Sequence, residues 1–157
     1  MRVGIGYDIH RLTEGRPMLL GGVNIPYEKG LLGHSDGDVL LHAVGDAILG
    51  ALGEEDIGTK FPDDDPRYKN IASSELLREI RYIMDRTGYE VRNLDTVVIA
   101  EEPKIRPYRD RIVGSIADIL AVPVEYVNVK GKTNEQLGPI GRGEAIAAQA
   151  VILLKEI

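Results

Sequence analysis

The chain contains no cysteine and no tryptophan, and it has a single phenylalanine, Phe61. Disulfide bonds are therefore excluded, and a zinc ion would have to be held by histidine and carboxylate side chains. Because aromatic residues make up only 5% of the sequence, the core must be built from aliphatic side chains. No apolar run approaches the roughly 20 residues that a membrane helix requires, and no signal peptide is visible at the N-terminus.

An excess of positive charge is also missing. The 157 residues carry a formal net charge of -6, which argues against a general nucleic-acid-binding protein. A polyanion could still bind at one place where a metal ion and a few Lys or Arg side chains are concentrated. The length fits one domain with a core of ordinary size.

The apolar pattern predicts a mixture of helices and a few strands. Three stretches place apolar side chains at helical spacing: residues 37–50, 73–86 and 107–120. Four stretches are typical of strands or of a hairpin: residues 2–10, 18–24, 94–100 and 124–130. Residues 53–66 and 131–143 are interpreted as loops. Residues 145–157 fit a helix and a strand equally well.

This order of elements predicts an α+β fold with a four-stranded mixed sheet and helices on one face. The other face of such a sheet also needs a cover, and the simplest cover is a neighbouring subunit. At the first helix, Ser35 or Asp36 is expected to be the cap. At the second, Ser73 or Ser74 is expected in that role.

All three histidines lie within the first 42 residues. Asp8 and His10 are two positions apart on a predicted strand, so their side chains leave the same face. His42 lies one turn into a predicted helix. Two imidazoles, one carboxylate and an open position form the arrangement of catalytic zinc. The alternative, which spacing alone favours, is two ordinary polar residues at a strand end and a buried histidine with satisfied hydrogen bonds.

Other polar residues lie close to this cluster in the sequence. Asp38 and Asp46 lie one helical turn on either side of His42, and either could orient its ring. His34 and Ser35 precede the helix, whose free N–H groups and positive dipole end suit a phosphate. His34 could therefore donate a hydrogen bond to a phosphate oxygen.

Four further segments carry charged groups where binding residues commonly occur: residues 54–65, 100–106, 130–135 and 141–144. Lys104 could meet a phosphate or a base, and the third segment could serve a second metal such as Mg²⁺. Each has a simpler alternative. The acidic first segment could be a solvated loop, and Arg142 with Glu144 could be a surface ion pair of little energetic value.

The segments occur together, in one order, over the whole chain. They contain the motifs Gly6-Tyr7-Asp8-Ile9-His10, Gly21-Gly22-Val23-Asn24-Ile25-Pro26, His34-Ser35-Asp36-Gly37-Asp38 with His42, Asp56-Ile57-Gly58, Phe61-Pro62-Asp63, Pro103-Lys104, Thr133-Asn134-Glu135 and Gly141-Arg142-Gly143-Glu144. In these motifs the sequence resembles the 2-C-methyl-D-erythritol 2,4-cyclodiphosphate synthases, enzymes of non-mevalonate isoprenoid biosynthesis.

The resemblance implies a metal-dependent phosphorus–oxygen lyase. Its substrate would be 4-diphosphocytidyl-2-C-methyl-D-erythritol 2-phosphate, whose 2-phosphate attacks the β-phosphorus. The products would be 2-C-methyl-D-erythritol 2,4-cyclodiphosphate and CMP. In phosphoryl transfer of this kind the protein mainly aligns the reacting groups and neutralises their charge, and it does little covalent chemistry itself. The lack of an obvious nucleophile or strong base in the chain agrees with that requirement.

The resemblance also implies roles for individual residues. Zinc, or a similar divalent cation, would be held by Asp8, His10 and His42. His34 and Thr133 would steady the charge on the transferring phosphoryl group, and Glu135 would bind Mg²⁺ or Mn²⁺ with the substrate diphosphate. The remaining substrate contacts would be Ser35, Asp56, Ile57, Gly58, Phe61, Pro62, Asp63, Ala100, Pro103, Lys104, Ile105, Arg106, Lys132, Asn134 and Arg142.

The implied assembly is a homotrimer of single-domain chains (residues 1–157) with packed sheets and active sites between subunits. In some members a central cavity binds an isoprenoid diphosphate, and Arg142 matches the arginine at its mouth. The last segment, residues 145–157, would be a strand. No nucleic acid or membrane partner is implied, and the expected location is the cytoplasm, or the plastid stroma if a transit peptide has been removed.

Two departures from the family pattern add charge near the implied nucleotide site. Lys132 stands where many members carry a small hydroxyl residue, and Glu101 where a Gln is frequent. Two other functions remain open on the sequence alone. One is a trimeric small-molecule-binding protein with a structural metal, and the other is a phosphohydrolase that uses zinc-bound water.

Overall fold

A computed structural model gives the structure of residues 1–157. Its strands are β1 (Arg2–Glu14), β2 (Met18–Leu20), β3 (Val23–Ile25), β4 (Lys29–Leu32), β5 (Tyr89–Ile99), β6 (Val127–Lys132) and β7 (Ala145–Glu156). Its α-helices are α1 (Val39–Leu52), α2 (Ile57–Lys60), α3 (Ser73–Arg86), α4 (Arg109–Leu120) and α5 (Gly138–Gly141). Short 3₁₀ turns occur at Pro66–Tyr68, Arg106–Tyr108 and Val124–Tyr126.

The main sheet has five strands in the order β4-β1-β7-β5-β6. β7 lies at its centre and pairs antiparallel with β1 on one side and β5 on the other. β4 pairs antiparallel with β1 at one edge, and β6 runs parallel to β5 at the other. β2 and β3 form a separate hairpin. Helix α1 packs on β1 and β7, while α4 packs on β6 and α3 packs on α1.

The predicted α+β class is confirmed, with a different strand count. The sheet has five strands instead of four because Lys29–Leu32 adds an edge strand that the sequence pattern did not reveal. β1 continues to Glu14, beyond the predicted end at residue 10, because its last residues pair with that edge strand. Residues 145–156 form a strand, as the resemblance implied.

The other elements differ from the prediction mainly at their ends. α1 begins at Val39 and α4 at Arg109, each two residues later than predicted. β5 begins earlier, at Tyr89, and β6 later, at Val127, because a 3₁₀ turn precedes it. Both predicted loops contain a one-turn helix, α2 and α5.

Helix α1 lies directly on β1 because two glycines of the strand leave room for it. A Cβ atom on Gly6 would lie 1.8 Å from the carbonyl oxygen of Ala43, and one on Gly4 would lie 1.9 Å from that of Ala47. Both obstacles are backbone atoms, so a side chain could not be accommodated by a rotamer change. This close approach brings His42 of the helix next to the polar end of the strand.

The cap of α1 is Asp38, and not Ser35 or Asp36 as predicted, because the helix begins at Val39. The Asp38 carboxylate accepts a hydrogen bond of 3.1 Å from a backbone N–H in the first turn. It also accepts from Gly21 N at 2.9 Å and Gly22 N at 2.7 Å, so it ties the β2–β3 turn to the helix. Full burial raises the pKa of Asp38, and these three backbone donors oppose that effect.

The cap of α3 also differs from the prediction. Ala72, and not Ser73 or Ser74, is at the N-cap position, and its side chain makes no cap hydrogen bond. The carboxylate of Asp36, which precedes α1 in the chain, accepts a 3.0 Å hydrogen bond from Ser73 N. One acidic side chain therefore fixes the start of a helix that begins 37 residues later.

The face of the sheet opposite the helices carries exposed apolar side chains. Val3, Ile5, Tyr7 and Ile9 alternate along β1 and are 44–71% exposed. Val151 of β7, which pairs with Ile5, is 46% exposed. A contiguous apolar surface of this kind marks an interaction surface. None of the helices has the length and hydrophobicity needed to cross a membrane.

Candidate active site

Asp8, His10 and His42 bring three potential metal-ligand atoms to one point. Asp8 Oδ2 lies 2.8 Å from His10 Nε2 and 3.0 Å from His42 Nδ1. The two nitrogens lie 3.3 Å apart. These residues form the one group of three or more His, Cys, Asp or Glu side chains close enough to hold a metal ion. The predicted proximity of the strand pair to the helix histidine is confirmed.

The donor set fits a divalent metal such as zinc. Two ligands that each lie about 2.0–2.1 Å from a tetrahedral ion are about 3.3 Å apart, which is the separation of the two nitrogens. The carboxylate oxygen would have to move outward by a few tenths of an ångström. Three protein ligands leave a fourth position open, which is typical of catalytic zinc and not of structural zinc.

The far sides of both histidine rings are hydrogen-bonded, which determines the atoms that face Asp8. His10 Nδ1 lies 2.8 Å from the carbonyl oxygen of Leu32, so it carries a proton and Nε2 is the atom that would bind a metal ion. His42 Nε2 lies 2.9 Å from Ser73 Oγ and 3.2 Å from Ser35 Oγ. The prediction that Asp38 or Asp46 orients the His42 ring is not supported by these contacts.

The two aspartates have other partners. Asp38 binds backbone N–H groups at the start of α1, as described above. Asp46 accepts a 2.8 Å hydrogen bond from Ile57 N and so fixes the first residue of α2 beside the metal ligands. Burial raises the pKa of Asp46, an effect that this backbone donor opposes. The serines that contact His42 could not be found by helical spacing, because α3 brings Ser73 to the ring through tertiary packing.

The electrostatics of the cluster favour a charged carboxylate. Burial acts to raise the pKa of Asp8, but hydrogen bonds from His10 and His42 outweigh it and lower that pKa to about 2. The hydrogen bond to Asp8 raises the pKa of His10 above its usual value, with burial acting in the opposite direction. Asp8 is therefore ionised at neutral pH and ready to bind a cation.

The metal cluster forms one end of a pocket of about 320 Å³. The pocket is lined by Asp8, His10, His34, Ser35, His42, Asp46, Ile57, Gly58, Phe61, Asp63, Tyr68, Ile71 and Leu76. It thus brings together most of the residues implied for the metal and the erythritol part. Pro62 and Asp56 are not among the lining residues. Tyr68, Ile71 and Leu76 were not foreseen, because apolar wall residues carry no chemical signature in a sequence.

His34 stands at the open side of this pocket. Its side chain is 83% exposed, and His34 Nε2 lies 3.6 Å from Asp63 Oδ2. The loop that carries it is held by Arg16, whose guanidinium donates to the carbonyl oxygens of Gly33 at 3.4 Å and Ser35 at 3.0 Å. The imidazole is therefore free to meet a ligand, while the backbone that carries it is held in place.

Asp56 has a structural role in this geometry. It caps α2, and its carboxylate accepts a 2.8 Å hydrogen bond from Thr59 N. Hydrogen bonding at Thr59 lowers the pKa of Asp56, which is otherwise exposed to solvent. The capping contact orients Gly58 and Ile57, both of which line the pocket.

A second pocket, of about 400 Å³, lies where β5 and β6 end. Its lining residues are Ala100, Pro103, Lys104, Ile105, Arg106, Arg109, Val129, Lys130, Gly131, Lys132 and Thr133. Five of them carry a positive charge, so an anionic ligand would be favoured. Arg109 and Lys130 were not foreseen, and both already have partners: Arg109 contacts Val129 O, and Lys130 contacts Asp95.

The turn that follows β6 is organised by Glu101. Its Oε1 accepts 3.0 Å hydrogen bonds from the backbone N–H groups of Asn134 and Gln136. Glu135 N donates to Thr133 Oγ1 at 3.2 Å, and Glu135 adopts a positive φ of 52°. The negative charge of Glu101 thus holds the turn that carries Thr133 and Glu135.

The two pockets share no lining residue. Within one chain, therefore, His34 and the metal cluster belong to one pocket, and Thr133 and Lys104 belong to the other. Glu135, Asn134 and Arg142 line neither pocket, and Arg142 pairs with Glu144 at 3.3 Å. A ligand that used both sets of residues would have to bridge two pockets, which neighbouring subunits could bring together.

The fold and site define a small α+β protein with a His₂–carboxylate cluster that could hold a metal ion, at one end of a pocket with an apolar wall. The YgbB family model matches residues 1–155. The 2-C-methyl-D-erythritol 2,4-cyclodiphosphate synthase of Desulfatibacillum aliphaticivorans is 57% identical over 99% of this chain and 100% of its own length. The synthase of the same name from Geobacillus kaustophilus is 55% identical over 99% of this chain and 98% of its own length.

Solved structures give the same result. The CDP complex of IspF from Plasmodium falciparum has a TM-score of 0.87 and 42% identity, covering 99% of this chain and 96% of that chain. The bifunctional IspDF from Campylobacter jejuni has a TM-score of 0.95 and 42% identity, and this chain spans 42% of its length. The chain belongs to the YgbB family, as the resemblance in its motifs had indicated.

Proposed function

We propose that this protein converts 4-diphosphocytidyl-2-C-methyl-D-erythritol 2-phosphate to 2-C-methyl-D-erythritol 2,4-cyclodiphosphate and CMP, with residues 1–157 acting as one catalytic domain. The observation that carries the proposal is the Asp8–His10–His42 cluster, which opens into a pocket lined by the residues of the family motifs. Full-length identity above 50% to synthases of that name supports it. The reaction takes place in non-mevalonate isoprenoid biosynthesis.

The protein's own residues would align the substrate and balance its charge. Asp8, His10 and His42 would hold zinc or a similar cation, which would supply Lewis-acid chemistry toward the substrate diphosphate. His34, exposed at the pocket mouth, would donate a hydrogen bond to the transferring phosphoryl group. Ser35 and Asp63 would contact the erythritol part through their side chains. Further backbone or apolar contacts would come from Asp56, Ile57, Gly58, Phe61 and Pro62.

The nucleotide would occupy the cationic pocket at the ends of β5 and β6. Its contacts would come from Ala100, Pro103, Lys104, Ile105, Arg106, Lys132 and Asn134. CDP complexes among the solved relatives support a nucleotide ligand for the fold. Thr133 would steady the phosphoryl group, and Glu135 would bind Mg²⁺ or Mn²⁺. A single carboxylate is enough, because Mg²⁺ commonly keeps several waters and takes substrate phosphates as ligands.

The catalytic unit would be a homotrimer in which one subunit contributes the metal pocket and its neighbour the nucleotide pocket. The exposed apolar face of β1 and β7 supports packing of the sheets against one another. Arg142, paired with Glu144 in the isolated chain, would stand at the mouth of a central cavity that takes an isoprenoid diphosphate. We assign the protein to the cytoplasm, or to the plastid stroma where a transit peptide is removed.

The lyase reaction is tested by incubating the purified protein with its substrate and metal in ¹⁸O-labelled water. Because the substrate supplies its own nucleophile, we expect stoichiometric CMP and a cyclic diphosphate, both without ¹⁸O by mass spectrometry. Label in a phosphate product would instead indicate hydrolysis by a metal-bound water. Absence of turnover with metal bound would indicate a binding protein.

A further inference from the structure

Ser73 and Asp36 form a partly buried chain of hydrogen bonds that ends on His42, one of the candidate metal ligands. Ser73 Oγ lies 2.9 Å from His42 Nε2 and also makes a short hydrogen bond to Asp36 Oδ1. Ser73 is only 1% exposed. Neither Ser73 nor Asp36 is one of the three candidate metal ligands, and neither lines the pocket next to them.

The hydrogens of this chain can be assigned from chemistry alone. An ionised carboxylate can only accept, so the hydroxyl hydrogen of Ser73 must point to Asp36. The lone pairs of Ser73 Oγ are then left to accept. Of the two possible donors, the Ser35 hydroxyl lies 3.3 Å away and His42 Nε2 lies nearer, at 2.9 Å, so we assign a proton to Nε2. A ring that binds a metal ion through Nδ1, which lies 3.0 Å from Asp8 Oδ2, then keeps its single proton on Nε2.

Ser35 is a weaker partner for the same nitrogen. Its hydroxyl lies 3.2 Å from His42 Nε2, compared with 2.9 Å for Ser73. Ser35 Oγ has no carboxylate among its partners, which are a serine hydroxyl at 3.3 Å and Gly37 N at 3.4 Å. Only the Ser73 hydroxyl has its orientation fixed by an anion.

We propose that Ser73 and Asp36 are positioning residues that hold His42 in its Nε2–H tautomer and so present Nδ1 to the metal. The proposal rests on the metal site of the proposed function. Asp36 also accepts from Ser73 N, so the same carboxylate fixes the start of α3 and the orientation of a metal ligand. A histidine ligand whose second nitrogen is held in this way binds metal more tightly.

The test is the zinc affinity of Ser73→Ala, measured by competition with a chromogenic chelator on the full chain. We expect the dissociation constant to rise about 10- to 100-fold, the usual cost of losing such a partner. Ser74→Ala is the matched control, since Ser74 is the next residue of α3 and makes no contact with the metal ligands. An affinity for Ser73→Ala within twofold of the Ser74→Ala value would overturn the proposal.

A second measurement keeps the proposal testable if Ser73→Ala does not fold. In ¹⁵N-histidine spectra of zinc-loaded wild-type protein, His42 should show a protonated Nε2 and a metal-bound Nδ1. Coordination through Nε2 would contradict the relay. Asp36→Asn, which keeps the shape but lowers the charge of the acceptor, should weaken zinc binding severalfold, and an unchanged affinity would also count against it.

These outcomes separate the positioning role of Ser73 and Asp36, called the relay here, from the enzymatic function. Tight zinc binding that depends on Ser73, without formation of a cyclic product, would leave the relay standing and refute the proposed activity. Turnover by the wild type, together with an unchanged zinc affinity in Ser73→Ala, would support the proposed activity and refute the role of Ser73. A wild-type protein that binds no divalent metal would refute both.

Discussion

His42 uses both of its ring nitrogens, one toward Asp8 and one toward Ser73. The family resemblance predicted the first contact. Spacing alone only allowed it, because strand alternation aligns Asp8 with His10 but ordinary polar residues fit the same pattern. It was not enough to predict the second, because Ser73 looks like an ordinary helix cap. The candidate metal ligands could therefore be predicted, while the serine that contacts one of them required the tertiary structure.

Replacing His42 by Ala should abolish tight zinc binding and activity while leaving the assembly intact. The reason is that the remaining His10 and Asp8 offer only two ligands, whereas the exposed sheet face lies on the other side of β1. Metal content by atomic emission and mass by light scattering measure the two effects. His34→Ala is the control: it should keep its zinc and lose turnover. Full zinc content in His42→Ala would refute the ligand assignment.

Among the elements, α1 and β1 carry all three candidate metal ligands, and the contact between these elements depends on Gly4 and Gly6. The sequence shows the glycines but not their purpose, since a glycine in a strand more often suggests a bulge or a turn. The missed strand β4 has a similar cause. Its four residues are too few to show alternation, and only pairing with the extended β1 gives them strand geometry.

Gly6→Ala should separate α1 from β1 and so damage the metal site without touching a ligand. Its Cβ would meet a backbone carbonyl at 1.8 Å, and overpacking of this kind costs about 3 kcal/mol or more. We expect a lower free energy of unfolding in urea and weaker zinc binding.

Gly114→Ala provides the comparison, because a Cβ there meets nothing within 4 Å inside α4. It should be neutral or raise the free energy of unfolding by up to about 1 kcal/mol. Equal stability of the two variants would show that α1 has room to move.

At the scale of the whole molecule, the distribution of charge and apolar surface points to an assembly. The metal pocket and the cationic pocket share no residue, and the row of apolar side chains on β1 has no cover within the chain. The sequence predicted the need for a cover from the number of helices available. It could not show which side chains would be exposed, because that depends on the register of β1 against β7.

Ile5→Lys should disrupt the assembly. Ile5 is 71% exposed in the single chain and pairs with Val151 at the middle of the apolar surface, so a charge there would have to be buried between subunits. We expect mainly monomer by analytical ultracentrifugation, with activity reduced by at least tenfold because the two pockets no longer meet.

Tyr82→Lys is the matched control for this experiment. Tyr82 is 52% exposed but lies on α3, away from the apolar surface, so the oligomeric state should be that of the wild type. A trimeric Ile5→Lys variant would place the interface elsewhere on the molecule.

The central position of β7 has a consequence for folding during synthesis of the chain. β1 is made first and β7 last, yet they are neighbours, with Arg2 opposite Leu154. Until residues 145–156 leave the ribosome, β1 and β5 lack the strand that pairs with both of them, so each has an unpaired edge. The sheet therefore closes only after synthesis has passed β7, and a nascent chain stalled before that point offers other chains a place to pair.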